Sequence, residues 1–91
     1  MTKANIVSLI SEKCGLTKKD SEAALNAFTD IITEQLRSGE KVQIAGFGTF
    51  ETVERGERVG RNPRTGDTVM IPKSRAPKFK AGKMLKDAVN I

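Results

Sequence analysis

The sequence predicts an α+β chain. Two capped amphipathic stretches fill residues 1–39, two alternating stretches flank a Gly-Phe-Gly turn after them, and a cationic, glycine- and proline-punctuated ribbon leads to a short terminal helix. Helical periodicity first and strand periodicity second is the pattern of segregated helices and antiparallel sheet.

Thr2 is placed to cap a helix over residues 3–14, because its hydroxyl can accept a first-turn N–H that has no intrahelical partner. Ile6, Val7, Leu9, Ile10 and Cys14 fall on one stripe, and Gly15 ends the helix. Cys14 reads as a small buried hydrophobe of that stripe, since no basic neighbour is present to activate a thiolate. Thr17 and Asp20 have capping-box spacing with Leu16 as a hydrophobic staple, which starts a helix that runs to Ser38 and stops at Gly39. Its apolar residues Ala24, Leu25, Ala27, Phe28, Ile31, Ile32 and Leu36 cover a stripe wide enough to serve more than one neighbour. Lys18 and Lys19 read as a solvated helix start.

Residues 41–45 alternate as a strand, Gly46-Phe47-Gly48 forms a tight turn, and residues 49–53 resume the alternation. Phe47 and Phe50 read as packing residues, because a base-stacking platform interleaves aromatics with exposed cations. The second strand is expected to continue through Arg61, turn over Asn62 to Gly66, and return from Asp67 to Arg75. Pro63 suits the second position of a turn, Pro72 lacks a donor and belongs on an edge or bulge, and Gly56 and Gly60 let the ribbon bend. Strict alternation would put Arg55 and Arg61 on one face and Arg58 on the other, unless a bulge intervenes. After Pro77, Ala81, Met84, Leu85, Ala88 and Val89 share one side of a helical wheel, and Lys80, Lys83 and Lys86 share the other.

Of the net charge of +5, the segment 55–80 holds +6 and the remainder −1. With almost nothing large and apolar besides Val59, Val69, Met70 and Ile71 until Phe79 at its end, that segment cannot bury itself, and its charge suits a polyanion. The 91 residues make one domain, yet they offer no Trp, no Tyr and four Phe. A lone Cys14 gives no internal disulfide, and the lack of His leaves no plausible zinc set. Self-association is the remaining source of buried area, so a homodimer is expected. The N-terminal pattern does not read as a secretory leader and no run of 18 or more apolar residues occurs, so a soluble intracellular protein is expected. Nothing resembles a catalytic constellation or a phosphate-cradling loop, so neither an enzyme nor a small-molecule substrate or cofactor is expected.

Gly46, Phe47, Phe50, Arg55, Arg58, Gly60, Asn62, Pro63 and Thr65 stand at the spacing of the signature of the bacterial HU and integration host factor family, and the chain resembles that family along essentially its full length. The resemblance implies an α+β intertwined homodimer with a helical base, a β-saddle, two extended β-ribbon arms and a short C-terminal helix. It implies a helical dimerisation part over 1–39, a β-sheet part over 40–80 with the arm at about 54–75, and a C-terminal helix over 81–91. The partner implied is double-stranded DNA, with a preference for bent, nicked or distorted duplex, in a cytoplasmic, nucleoid-associated setting.

Carried onto this chain, the resemblance makes Arg55, Arg58 and Arg61 minor-groove and phosphate contacts. Pro63 becomes a wedge between base pairs, flanked by Asn62 and Arg64. Lys73 and Arg75 continue the basic track, and Lys80, Lys83, Lys86 and Lys3 meet flanking duplex. Phe28, Phe47, Phe50 and Phe79 are the expected dimer core. Val53 stands where many HU proteins have an arginine, Ala45 where the host-factor β-subunit has one, and Ala81 where host-factor subunits tend to have proline. The last two favour the sequence-tolerant HU branch. The alternatives are a site-specific bender of host-factor or phage type and, more distantly, a basic RNA-binding protein; the proline-tipped arm counts against the latter, since A-form RNA is read through shape and unstacked loops.

Overall fold

The computed structural model describes all 91 residues, Met1 to Ile91. The chain forms two compact units, Met1–Glu34 and Gln35–Ile91.

The first unit contains α1, Lys3–Cys14, and most of α2, Lys18–Arg37. Thr2 caps α1 reciprocally: its backbone N–H donates to Asn5 Oδ1 at 2.8 Å, and the Asn5 N–H donates to the Thr2 hydroxyl at 3.5 Å. Helix α1 ends at Gly15, which adopts the left-handed conformation. At the start of α2, Thr17 Oγ1 accepts the Asp20 N–H at 3.1 Å. The Ser21 hydroxyl, fully buried, donates to the Thr17 carbonyl at 2.8 Å. A polar group so placed is tolerated because its donor is satisfied.

Val7 is the only apolar side chain that is buried, and it keeps 9% of its surface exposed. Ile6, Leu9 and Cys14 of the same stripe are exposed. The reading of Cys14 as a buried hydrophobe is therefore corrected: within one protomer nothing covers that end of the stripe. On α2, Phe28 and Ile31 are also exposed, Ile31 to 57%.

The second unit contains two antiparallel sheets. Strands β1 (Val42–Ile44), β2 (Gly48–Arg55) and β5 (Ser74–Ala81) lie in the order β1-β2-β5, with Phe50 opposite both Val42 and Phe79. Strands β3 (Arg58–Arg61) and β4 (Thr68–Ile71) pair only with each other. The ribbon is thus not one continuous ladder. Pairing lapses where Gly56-Glu57 faces Pro72-Lys73, between the rungs Arg55–Ser74 and Arg58–Ile71. Proline cannot donate to a ladder, and Gly56 on the other strand holds no side chain that would stiffen the gap.

The terminal helix α3 is Lys83–Val89, shorter than the expected 81–91. Ala81 completes the last β2–β5 rung opposite Gly48, and the Gly82 N–H donates to the Phe47 carbonyl at 2.8 Å. Those backbone bonds hold Phe79, Lys80 and Ala81 in strand geometry, so Lys80 is a strand residue and not part of a helical lysine face. No helix in the chain is long and apolar enough to cross a membrane.

Alternation through β2 and β5 sorts the three-stranded sheet into two faces. Val42, Ile44, Phe50, Pro77 and Phe79 share one, and Gln43, Thr49, Glu51, Lys78 and Lys80 share the other. On the apolar face the Phe79 ring lies 4.8 Å from Phe50 and 5.3 Å from Phe47, centroid to centroid and tilted, as aromatic quadrupoles prefer. Phe47 and Phe79 nevertheless stay 41% and 38% exposed.

Gly48 is what lets Phe79 lie flat there: a Cβ at Gly48 would stand 2.5 Å from both the Phe79 ring and the Lys80 carbonyl oxygen. Gly48→Ala is expected to lower stability by about 1–3 kcal/mol, the usual overpacking range, read as a fall in the denaturation midpoint. Gly56→Ala, which meets nothing within 4 Å, serves as the near-neutral control.

Candidate nucleic-acid interface

The arm tip is a short loop from Asn62 to Asp67, held by its own bonds. The Gly66 N–H donates to the Asn62 carbonyl at 2.7 Å, and the Asn62 N–H donates to the Asp67 carbonyl at 2.8 Å. Asn62 Oδ1 accepts the Arg64 N–H at 2.9 Å, and Thr65 Oγ1 accepts the Asp67 N–H at 3.3 Å. Gly66 takes the left-handed φ of +74° that closes the loop. Pro63 is exposed within this frame, while Asn62 is half-buried with its amide oxygen turned inward. The structure therefore gives Asn62 the turn-forming part that the sequence reading placed there, with its side chain bracing the loop.

Below the tip, Arg58 and Arg61 are three apart in one strand and so leave opposite faces of the ribbon, Arg58 opposite Ile71 and Arg61 opposite Thr68. Ile71 closes over Gly60, where a Cβ would come within 2.8 Å of its Cδ1. The other face carries the Val59–Met70 rung, 66% and 67% exposed, beside Arg61. Arg55, Arg58, Arg61, Arg64 and Lys73 are all exposed, with no acidic partner within salt-bridge reach.

On the polar face of the sheet, Lys78 and Lys80 stand on β5, and Lys80 joins Lys83 of α3 around one hollow lined by Gln43, Thr49 and Gly82. Lys86 lies one helical turn beyond Lys83. Glu51 interrupts this cationic face: its carboxylate oxygens lie 3.4 Å from Lys80 Nζ and 3.5 Å from Lys41 Nζ. Partial burial by itself would raise the Glu51 pKa, but the hydrogen bond and charge of Lys80, together with Lys41, outweigh it and hold the carboxyl below its ordinary value.

In the helical unit, Lys3, Lys18 and Lys19 surround a hollow that includes Val7, Ser8 and Glu22. The sequence reading treated Lys18 and Lys19 as a solvated helix start. The signal available was their place at the head of α2, but their convergence with Lys3 depends on how the two helices cross. Lys18 and Lys19 are exposed in the first turn of α2, as read, and Lys41 entered no site reading because only the fold sets it beside Glu51. Arg75 stands apart from all of these: its Nη2 donates to the backbone carbonyl of Arg37 at 3.0 Å. Of the expected core, the structure brings Phe47, Phe50 and Phe79 together in the second unit, while Phe28 lies exposed on the α2 segment of the first.

A family model described as bacterial DNA-binding protein matches residues 1–90. DNA-binding protein HU of Lactococcus lactis is 58% identical over 87 residues, 96% of each chain, and that of Geobacillus stearothermophilus is 53% identical over 98% of this chain and 99% of its own. Among solved structures, the Anabaena HU–DNA cocrystal structure superposes with a TM-score of 0.93 at 43% identity, over 99% of this chain and 98% of that one. HU from Thermotoga maritima gives 0.70 at 36% identity, over 99% and 100%.

The Glu51 pairs carry a pH signature. A carboxyl held below its ordinary value stabilises the fold at pH above the unfolded-state pKa, and that contribution disappears as pH falls through the folded-state pKa. Thermal midpoints of wild type and Glu51→Gln are expected to differ at neutral pH and to converge on acidification below the ordinary carboxylate range. A constant difference across that range would mean that the pairs contribute no linkage.

Proposed function

The chain belongs to the bacterial DNA-binding protein family, and on that premise we propose that it is an architectural protein of the nucleoid that binds and bends duplex DNA with little sequence preference. The observation that carries this reading is the exposed arm. Its arginines leave both faces of a narrow ribbon, none has an acidic partner, and a proline stands at the end of a self-braced loop. A ribbon with cations on both faces fits a groove walled by phosphates on two sides, and fits a single flat surface poorly.

In this reading Arg55, Arg58, Arg61 and Arg64 follow the minor groove, and Pro63 wedges into a base step. Lys73 extends the track at the arm's root, while Lys80, Lys83, Lys86 and the cluster at Lys3 hold the duplex on either side. Minor-groove architectural proteins as a class, HU and integration host factor among them, spend a few kcal/mol on each unstacked step and recover it through the phosphates that bent DNA brings within reach. A nicked or distorted duplex is already partly unstacked there, which is why it would be preferred. The particle is a homodimer, supported by the exposed Phe28, Ile31, Phe47 and Phe79, so that two arms engage one duplex. Its place is wherever the bacterial chromosome lies, in the cytoplasm.

Binding measured by anisotropy over a salt series is expected to weaken with a slope of about −0.9 in log K per phosphate contacted. Arg58→Ala combined with Arg61→Ala should weaken every sequence alike and flatten that slope by up to about 0.9 per contact removed. Affinity independent of salt would overturn the reading. Pro63→Ala should reduce end-to-end energy transfer on a nicked duplex more than it reduces affinity; equal losses would remove the wedge.

A further inference from the structure

We infer that Arg75 is a positioning residue that clips the root of the arm to the last turn of α2, and that it does not contact DNA. Three observations carry this. By alternation and register, Arg75 leaves β5 on the same face as Pro77 and Phe79, opposite to the face that bears Lys78 and Lys80. Its guanidinium is already engaged at 3.0 Å by the Arg37 carbonyl, 38 positions away, whereas the other hydrogen bonds from a side chain to the backbone span five positions or fewer. That carbonyl belongs to a helix end whose neighbours are already satisfied: the Gly39 N–H donates to Leu36 at 3.1 Å and the Glu40 N–H to Gln35 at 2.8 Å. Arg75 takes the next carbonyl and sets a cation at the negative end of the helix dipole.

The position of the clip gives it a consequence. Arg75 pairs with Glu54, one rung inside Arg55–Ser74, where the sheet ladder stops. Beyond that rung Gly56-Glu57 and Pro72-Lys73 make no ladder pairs before the arm's own ladder begins at Arg58–Ile71. The clip fixes the last rungs against the helix end, and pivoting is confined to the unpaired residues beyond. The arm therefore swings about one defined point instead of peeling the sheet. The geometry stands on its own; its effect on bending rests on the DNA-binding reading proposed above.

The test follows the arginine side-chain N–H signals of the intact protein by NMR as a nicked duplex is added to saturation. The signals of Arg58 and Arg61 are expected to shift while that of Arg75 stays in place. A shift of Arg75 comparable with theirs would overturn the inference. If none of the three moved, the DNA-binding reading would fail, and the bending role of Arg75 with it. Alongside, Arg75→Met is expected to keep the wild-type salt slope but lower energy transfer on the bent duplex, measured at a temperature where the variant is folded. A slope reduced by about 0.9 would make Arg75 a phosphate contact, and unchanged bending would reduce it to a purely structural residue. Should that variant not fold, the wild-type NMR titration decides alone.

Discussion

One shortage governs this molecule: a single protomer has too little apolar side chain to close over itself. Helix α1 buries Val7 and little else, and the aromatic cluster of Phe47, Phe50 and Phe79 stays partly open to solvent. Each of these rings could contribute roughly 1.5–3 kcal/mol if fully covered, which is large beside the 5–15 kcal/mol net stability typical of a domain. The proposed second copy supplies the cover. The ribbon deepens the shortage, since residues 56–75 bury little, and sharing the rest of the fold in the proposed dimer would offset it.

Alternation along the strands then separates two tasks. On the three-stranded sheet, one face takes the aromatics and the other takes Gln43, Thr49, Glu51, Lys78 and Lys80. A slip of one residue would exchange the faces entirely. Gly48 guards against that slip, because only a residue without a Cβ admits the Phe79 ring at its rung. In the arm, the same alternation serves the opposite purpose. Arg58 and Arg61 leave different faces, which suits the groove placement proposed above.

What could be read from the sequence was what depends on near neighbours. Thr2, Gly15, Thr17 and Gly39 act within one turn of their own helices, and both helix spans followed from them. The tip loop was legible for the same reason, with Asn62, Pro63 and Gly66 each setting its own backbone. The start of α3 was not: lysines at 80, 83 and 86 fit a helical wheel, while Phe79, Lys80 and Ala81 equally fit a strand. Pairing with Gly48 and Thr49, some thirty residues back, settles the matter. Arg75 was read as continuing the basic track; the face on which it leaves the sheet, shared with Pro77 and Phe79, becomes visible only through the register. The Lys3, Lys18 and Lys19 cluster and the two lysines on Glu51 likewise arise only when separated elements meet.

In the proposed dimer the fold is complete only when shared between two copies. Sedimentation equilibrium of the DNA-free protein, combined with thermal unfolding over a wide range of concentration, tests it most directly. The expected result is a folded particle of twice the 9.9 kDa chain mass whose melting temperature rises with protein concentration. A cooperatively folded 9.9 kDa protomer with a melting temperature independent of concentration would contradict it.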